Sequence, residues 1–246
     1  MEYRQEKEKE FHNKAFGEST RHRLSKAYTI GELSFRYYRE YLFARCTNKK
    51  LLELGCGLGY YALYFAQRSD YVLGIDLSDV AIAKAVKRAQ SQKRLNIAFS
   101  EMNAEALACK NGCFDLVCGM GLLHHLDLDG ISIELKRILK PAGEAVFIEP
   151  LGHNPVINLF RKLTPLLRTE DEHPLRLADI TRLKLYFPKV EVFYFHLLTL
   201  FLIPVNRLPG FQWVLELAAK ADRWLFRVFP LLRKYAWMIL IILPES

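Results

Sequence analysis

From residue 50 onward, short apolar runs alternate with segments of helical periodicity, and this alternation limits the chain to few folds. Helices are predicted at Leu58–Gln67, Asp79–Gln92 and Leu128–Leu139, the last stopped by Pro141 and Gly143, and strands at Lys50–Leu54, Tyr71–Ile75, Leu95–Ser100, Phe114–Cys118 and Ala145–Glu149. This order is typical of an α/β fold with a parallel, doubly wound sheet. Ligands of such sheets bind beyond the carboxyl ends of the strands, so the residues after each strand are the candidate site.

The composition is that of a folded globular chain, since 51% of the 246 residues are hydrophobic and 25% are charged. A net charge of +8 is compatible with nucleic acid, an anionic membrane or an acidic substrate. Lys and Arg are spread among Glu residues rather than blocked, so nucleic acid is not expected as a partner. The longest apolar runs, Val192–Val205 and Trp237–Leu243, fall short of the roughly 20 residues that span a bilayer.

The first residues, MEYRQEKEKEF, are charged where a signal peptide would be apolar. The chain is therefore expected in the cytoplasm, and peripheral contact with the inner membrane face is left open.

A glycine-rich turn follows the first predicted strand, with the sequence Glu53-Leu-Gly55-Cys-Gly57-Leu-Gly59-Tyr60. Alternate glycines let the backbone turn tightly and approach a ligand, and the next helix offers unpaired N–H groups to it. A dinucleotide fingerprint would need glycine where Tyr60 stands, which argues against NAD or FAD. The alternative is a turn with a structural role only.

Asp76 ends the second predicted strand. A carboxylate at this point can accept hydrogen bonds from both hydroxyls of a ribose. The alternative role, the N-cap of the following helix, can be filled by Ser78 or Asp79 instead. Because other residues can cap the helix, the ligand role is favoured for Asp76.

Five segments in order, LLELGCGLGY, GIDLS, MNAEAL, FDLVCGMGLLHHL and LKPAGEAVFIEP, together resemble the class I S-adenosylmethionine-dependent methyltransferases, of the small-molecule, methyltransferase type 11-like kind. The resemblance covers about residues 48–150. It implies a Rossmann-like seven-stranded sheet of order 3-2-1-4-5-7-6 with strand 7 antiparallel, and S-adenosyl-L-methionine as cofactor. The residues that it assigns to cofactor binding are Glu53, Gly55, Gly57 and Gly59 at the methionine part, Asp76 and Leu77 at the ribose, Asn103 and Ala104 at the adenine, and Met120 under the sulfonium.

Two of these assignments depart from the family or have an alternative. Most members have Asp where this chain has Asn103, although an amide oxygen can still accept a hydrogen bond from the adenine amino group. Met120 can instead be an ordinary core residue.

The candidates for catalysis follow the fourth and fifth strands. Methyl transfer requires a positioned acceptor, exclusion of water and, for a hydroxyl acceptor, a base. His124 and His125 follow strand four and Glu149 follows strand five, which is its neighbour in the implied order. We expect a histidine as base, with His125 favoured, and Glu149 as the group that orients it. The alternatives are histidines that only cap or pack a helix, and a glutamate that only ends its strand.

The downstream loops that contain His153 and residues 168–174, with His173, concentrate polar groups and are candidates for substrate recognition. The histidines show no metal-ligand spacing, so no metal is expected.

The chain is expected to form one methyltransferase domain, residues 1–246, with these parts: an N-terminal helical cap at 1–45, a cofactor-binding core at 48–150, strands at Val190–Phe195 and Ala236–Leu243, and a helical lid insert between them at 196–235. The insert is rich in Leu, Phe and Trp with interspersed Arg and Lys. This pattern fits a lid packed on the core, a homodimer interface or an interfacial helix on an anionic membrane.

The sequence thus predicts an enzyme that transfers a methyl group to an O, C or N atom of a small hydrophobic or aromatic molecule, such as a natural-product, quinone or lipid intermediate. An RNA or protein methyltransferase, and a cofactor-binding module without catalysis, are the alternatives. The loop after strand four lacks the N/D-P-P-Y/F arrangement of enzymes that methylate base amino groups.

Overall fold

The computed structural model describes Glu6, Lys7, Lys9, Glu10, Asn13 and residues 25–164, 173–206 and 208–245, with the backbone alone for residues 25–29. Arg207 and residues 168–172 of the predicted recognition loop lie outside the described residues. The helices are α1 (Ser25–Arg45), α2 (Tyr60–Phe65), α3 (Asp79–Ser91), α4 (Leu128–Ile138), α5 (Pro155–Leu163), α6 (Leu177–Leu183) and α7 (Phe211–Val228). The strands are β1 (Lys50–Leu54), β2 (Tyr71–Asp76), β3 (Ile97–Glu101), β4 (Phe114–Met120), β5 (Leu139–Pro150), β6 (Glu191–Phe195) and β7 (Met238–Pro244).

Three 3₁₀ turns complete the structure of the described residues, at Leu123–His125, Thr199–Val205 and Pro230–Tyr235. No helix within the described ranges is both long and apolar enough to cross a membrane.

All seven strands form one sheet of order β3-β2-β1-β4-β5-β7-β6. β1 to β5 pair in parallel, whereas β7 runs antiparallel between β5 and β6. The seven-stranded order and the antiparallel last strand that the resemblance implied are confirmed. The carboxyl ends of β1, β2 and β4 consequently lie at one edge of the sheet, which we call the ligand edge.

The fifth strand begins earlier than the sequence predicted, at Leu139 rather than Ala145. Pro141 and Gly143 were expected to separate a helix from a strand, but both lie within the extended segment. Leu139 pairs with Phe114, and the register then shifts before the pairing resumes farther along both strands. This irregularity tolerates a proline, which cannot donate to a regular ladder.

The core fills both faces of the sheet. Helices α4 and α6 bury Ile131, Leu135 and Leu183 on one face, and α1 and α2 bury Tyr38 and Phe65 on the other. Apolar residues of β1 alternate between the two faces, as expected for a strand covered on both sides. The sheet is therefore the middle of three layers.

Residues 196–235, called the insert below, pack on the N-terminal helix through a small apolar cluster. Phe211 and Leu215 of α7 contact Ile30 of α1, and all three are buried. The insert thus joins α1 to the sheet rather than projecting from it.

A buried polar cluster anchors the start of the insert. His196 lies 2.9 Å from Ser34 Oγ of α1 through Nε2 and 3.1 Å from Thr199 Oγ1 through Nδ1. Asp222 of α7 accepts hydrogen bonds from the backbone N–H of Leu197 and Leu198 at 3.0 and 2.7 Å. Burial lowers the pKa of His196 to about 3, so this imidazole is neutral at ordinary pH.

Candidate functional site

The glycine-rich turn leaves β1 at the ligand edge and leads into α2. Gly55, Gly57 and Gly59 have φ values of 65°, 50° and 73°, in the left-handed region that favours glycine. A side chain at Gly59 would also collide with its surroundings, because a Cβ there would lie 2.7 Å from Cζ of Phe99. The alternating glycines therefore follow from backbone conformation and close packing, and the turn presents its backbone to the ligand edge.

Asp76 fixes the turn to the end of β2. Its Oδ2 accepts a hydrogen bond from Gly57 N at 2.8 Å, and Oδ1 accepts one from Ser78 N at 2.9 Å. Each carboxylate oxygen keeps a further lone pair for a ligand hydroxyl. Ser78 caps α3 by accepting from Ala81 N at 3.0 Å, as the sequence suggested, so Asp76 is not needed as the cap.

Glu53 has a buried carboxyl group at the end of β1. Its side chain is 4% exposed, and Oε2 has no hydrogen-bond partner among the described residues. Burial, opposed by a backbone hydrogen bond from Ala62 and supported by the negative charge of Asp76, raises the pKa of Glu53 to about 8. The hydroxyl of Tyr38, on α1, is also buried without a partner among those residues. Orphaned polar groups of this kind indicate a site whose ligand would satisfy them.

The remaining residues assigned to the cofactor surround the same edge. Asn103 follows β3 and forms a tight turn, in which its Oδ1 accepts from Glu105 N at 2.9 Å. Ala104 beside it is buried, Leu77 after β2 is half-buried, and Met120 at the end of β4 packs partly on the core. The turn engages the Asn103 oxygen that was expected to accept from adenine, which leaves one lone pair and the amide N–H donors.

Glu149 and His124 form a buried pair where β4 and β5 end. Glu149 Oε2 lies 2.7 Å from His124 Nδ1, and Oε1 accepts from the backbone N–H of Leu122 and Leu123 at 2.8 and 2.9 Å. Glu149 is fully buried and the His124 side chain is 5% exposed. An ionised Glu149 places the proton of a neutral His124 on Nδ1 and leaves Nε2 as the basic nitrogen.

The sequence favoured His125 as the partner of Glu149, but the structure brings His124 to the carboxylate. His125 lies beside it, with the two imidazole rings 4.2 Å apart between centroids. Both histidines belong to the 3₁₀ turn Leu123–His125, in which successive residues point in different directions. Neighbouring positions in such a turn cannot be told apart from sequence spacing alone.

The sequence predicted an N-terminal helical cap, but it did not predict which strand ends that segment contacts. Asn13 donates through Nδ2 to Asp79 Oδ1 at 2.9 Å, and its Oδ1 accepts from the hydroxyl of Ser78 at 2.5 Å. Lys9 forms an ion pair with Glu101 at the end of β3. These contacts place Lys9 and Asn13 near the ends of β3 and β2. The sequence of the segment, which reads as an ordinary charged helix face, contains no signal of this placement.

The downstream histidines have other surroundings. His153 Nε2 accepts a hydrogen bond from Leu177 N at 3.2 Å and so holds the start of α6. His173 is exposed. Within the described ranges, no three His, Cys, Asp or Glu side chains form a group that could bind a metal ion.

Comparison with known proteins connects this geometry to a family. A family described as "Methyltransferase domain" matches residues 51–143. The ubiquinone biosynthesis O-methyltransferase of Acinetobacter baumannii (strain AYE) is 34% identical over 115 residues, which are 46% of this chain and 48% of that protein. The chain thus spans about half the length of the curated relatives it matches.

Solved structures share the fold at lower identity. Geranyl diphosphate C-methyltransferase from Streptomyces coelicolor A3(2) superimposes with a TM-score of 0.61 at 17% identity, covering 94% of this chain and 87% of that one. Phosphoethanolamine N-methyltransferase 2 from Haemonchus contortus gives 0.61 at 18% identity, covering 85% and 52%.

The glycine turn and Asp76 fall within the matched region, and the strand order is the one that the resemblance implied. Residues 51–143 are thus similar to a methyltransferase domain, and the whole chain shares its fold with solved methyltransferase structures.

Proposed function

We propose that the protein transfers the methyl group of S-adenosyl-L-methionine to a small hydrophobic acceptor. The observation that carries the proposal is the convergence at the ligand edge of a glycine cradle, a hydroxyl-binding carboxylate and the buried Glu149–His124 pair. A plain structural turn would not need the unsatisfied carboxyl of Glu53 beside it.

The residues present fit the cofactor. The buried Glu53 carboxyl suits a positively charged group, Asp76 suits two hydroxyls, and the N–H donors of Asn103 suit the ring nitrogens of a base. Gly55, Gly57, Gly59, Leu77, Ala104 and Met120 supply close backbone and apolar contact around them. When bound, S-adenosylmethionine supplies an electrophilic methyl group on a positively charged sulfur.

His124 acts as the general base in this proposal, and Glu149 acts as its positioning residue. Nε2 of His124 would take the proton of a hydroxyl acceptor as its oxygen attacks the methyl carbon. Glu149 holds the ring by its Nδ1 and stabilises the imidazolium that forms. His125 lies beside His124 and has no proton-transfer role in this proposal.

The acceptor is proposed to be an apolar or aromatic hydroxyl compound, and a quinone intermediate suits it best. The support is the similarity to proteins named for O-methylation in ubiquinone biosynthesis, together with the apolar residues of the insert. Within the single domain, residues 1–45 would then cap the core and residues 196–235 would form its lid. We propose a cytoplasmic location with peripheral contact at the inner membrane face, and homodimer formation through the insert as the alternative.

A cofactor-binding module without catalysis remains the second candidate, because the glycine turn and Asp76 support binding rather than transfer. Activity with any acceptor would exclude it. A nucleic-acid or protein acceptor has no specific support among the described residues.

Calorimetric titration with S-adenosylmethionine and S-adenosylhomocysteine tests the proposal directly, using wild type, Asp76→Ala and the control Asp129→Ala. Asp129 is a surface carboxylate that pairs with Arg182 of α6. We expect micromolar binding that Asp76→Ala abolishes and Asp129→Ala preserves, with thermal melts confirming that both variants fold. Mass spectrometry of co-purified molecules would identify the acceptor class. Absence of binding by the wild type would contradict the proposal.

A further inference from the structure

The solvent-facing side of α7 is apolar. The opposite side of the helix buries Phe211, Leu215 and Phe226 against α1 and the sheet. A helix with about 3.6 residues per turn brings positions four and seven apart onto one side. The residues that share this outward side, called the α7 stripe, are all exposed: Trp213, Leu217, Trp224 and Val228. Trp213 is 69% and Trp224 58% exposed, which is a large apolar surface to leave in water.

A second exposed apolar surface belongs to the short helix after β5. Its side chains at one-turn spacing are Val156, Leu159, Phe160 and Leu163, and all are exposed. Asn154 caps this helix and also donates to the backbone oxygen of Tyr235 at 2.6 Å, which joins α5 to the end of the insert. Leu231, in the turn just before Tyr235, is 85% exposed.

Both surfaces lie at the ligand edge. Pro150 at the end of β5 and Phe195 at the end of β6 each pair with Met238 at the start of β7. The segments that connect these three strand ends, α5 and the insert, must therefore emerge where the glycine turn and Glu149 also lie. A partner that covered them would cover the approach to the candidate active site.

The charges around the stripe favour an anionic partner. Lys220, Arg223 and Arg227 lie on one flank of α7, between the stripe and the buried side, and Glu216 is the acidic residue on that flank. The other acid of α7, Asp222, is buried and binds backbone N–H groups of the insert. α5 ends with Arg161 and Lys162. Basic residues beside exposed aromatic and aliphatic side chains are typical of helices that lie in the interface of an anionic bilayer.

A second copy of the chain fits the same surface less well. A symmetric dimer through the α7 stripe would bring two identical basic flanks close together, and like charges across an interface oppose association. Tryptophan side chains, in contrast, favour the headgroup region of a bilayer, where the ring is partly apolar and its N–H stays hydrated.

We propose that α7, α5 and Leu231 dock the protein on an anionic membrane, so that a lipophilic acceptor reaches the ligand edge from the bilayer. This inference rests on the proposed function for the identity of the acceptor, but the docking itself does not. α7 lies in the plane of the interface and does not cross it. The basic flank contacts lipid phosphates, and the α7 stripe inserts among the headgroups and upper acyl chains.

Vesicle flotation of the full chain tests the docking, with vesicles of phosphatidylcholine alone and of phosphatidylcholine mixed with phosphatidylglycerol. The wild type floats with the mixed vesicles at low salt and much less with the neutral ones. The variant Trp213→Ser/Trp224→Ser loses about tenfold or more in partitioning, because two exposed aromatic side chains no longer leave water. Lys220→Gln/Arg227→Gln loses roughly fivefold per charge, and only with anionic vesicles.

The matched control is Leu95→Ser, which removes an exposed apolar residue that precedes β3, at the opposite edge of the sheet. It floats like the wild type. The docking is overturned if the wild type stays in solution with anionic vesicles, if the tryptophan variant floats unchanged, or if sedimentation shows a dimer that the tryptophan variant dissociates. Titration of the same samples with S-adenosylhomocysteine separates the two proposals. Absence of cofactor binding contradicts the proposed methyltransferase function, whereas absence of flotation contradicts only the membrane docking.

Discussion

Glu53 has opposite effects on the free protein and on the complex with a cationic cofactor. Its pKa of about 8 lies above the ordinary value of 4.5 because the carboxyl is buried. Between these two pH values the folded protein binds more protons than the unfolded chain. The stabilisation that this proton supplies is therefore full below pH 4.5 and is lost as the pH rises through 8.

We expect Glu53→Gln to stabilise the ligand-free protein by about 3 kcal/mol at neutral pH and to remove this dependence of stability on pH. The amide occupies the same space and never ionises. The same variant should bind S-adenosylmethionine about tenfold more weakly, because it lacks the charge. Urea denaturation over the pH range and calorimetric titration measure the two effects.

The matched control is Glu216→Gln on the surface of α7, which should change neither stability nor affinity. A Glu53→Gln protein that is less stable at every pH would show that the carboxyl has a structural partner in the free state.

His124 and His125 differ in their partners although they are adjacent. We expect His124→Ala to lower kcat by a factor of about 10² to 10⁴, the usual contribution of a general base, with cofactor affinity nearly unchanged. Glu149→Gln should shift the pH profile of the reaction, because it no longer stabilises the imidazolium. Steady-state kinetics with the identified acceptor measures both.

His125→Ala serves as the comparison and should retain most of the turnover. The reverse result, in which His125→Ala loses turnover and His124→Ala changes it little, would show that His125 is the base, as the sequence favoured.

At the scale of elements, Asp222 connects α7 to the chain that leaves β6. Asp222→Ala leaves the part-buried backbone N–H groups of Leu197 and Leu198 without their acceptor. We expect it to destabilise the protein by about 2 kcal/mol or more, since each of the two unsatisfied donors costs about 1–3 kcal/mol when it is shielded from water. Hydrogen exchange should show the largest loss of protection in the insert. The control is Glu216→Ala on the same helix, and equal loss in all elements would contradict a local role.

The strands and their order were predictable because apolar runs, glycine punctuation and an ordered set of motifs act locally or at fixed spacing. The prediction failed where tertiary pairing overrode local signals, as at Pro141 and Gly143, which a sheet irregularity accommodates. The prediction that Ser78 could cap the helix after β2 in place of Asp76 is confirmed, because N-capping is a local property. The choice between His124 and His125 depends on rotation within a 3₁₀ turn, and the contact of Asn13 with Asp79 joins distant parts of the chain. Neither leaves a pattern in the sequence.

For the whole molecule, the charge of +8 predicts weak attraction to any polyanion. We expect RNA and heparin to bind at low salt without sequence preference and to dissociate as salt rises, because counterion release alone would drive the association. Filter binding with two unrelated RNA sequences at several salt concentrations measures this. Binding that persists at high salt, or that distinguishes the two sequences, would make RNA an acceptor candidate.

The position of β7 also bears on how the sheet is assembled during synthesis. Among the described strands β6 pairs with β7 alone, and β7 occupies the edge of β5 that the earlier strands leave open. A nascent chain that has emerged as far as Phe195 can complete the five parallel strands. Until β7 is added, however, the backbone hydrogen-bonding groups on one side of β5, at Ala145–Ile148, have no partner strand. Open edges of this kind recruit other strands and lead to aggregation. The sheet is therefore protected only after β7 has emerged from the ribosome, and chaperones that bind extended apolar segments would act in that interval.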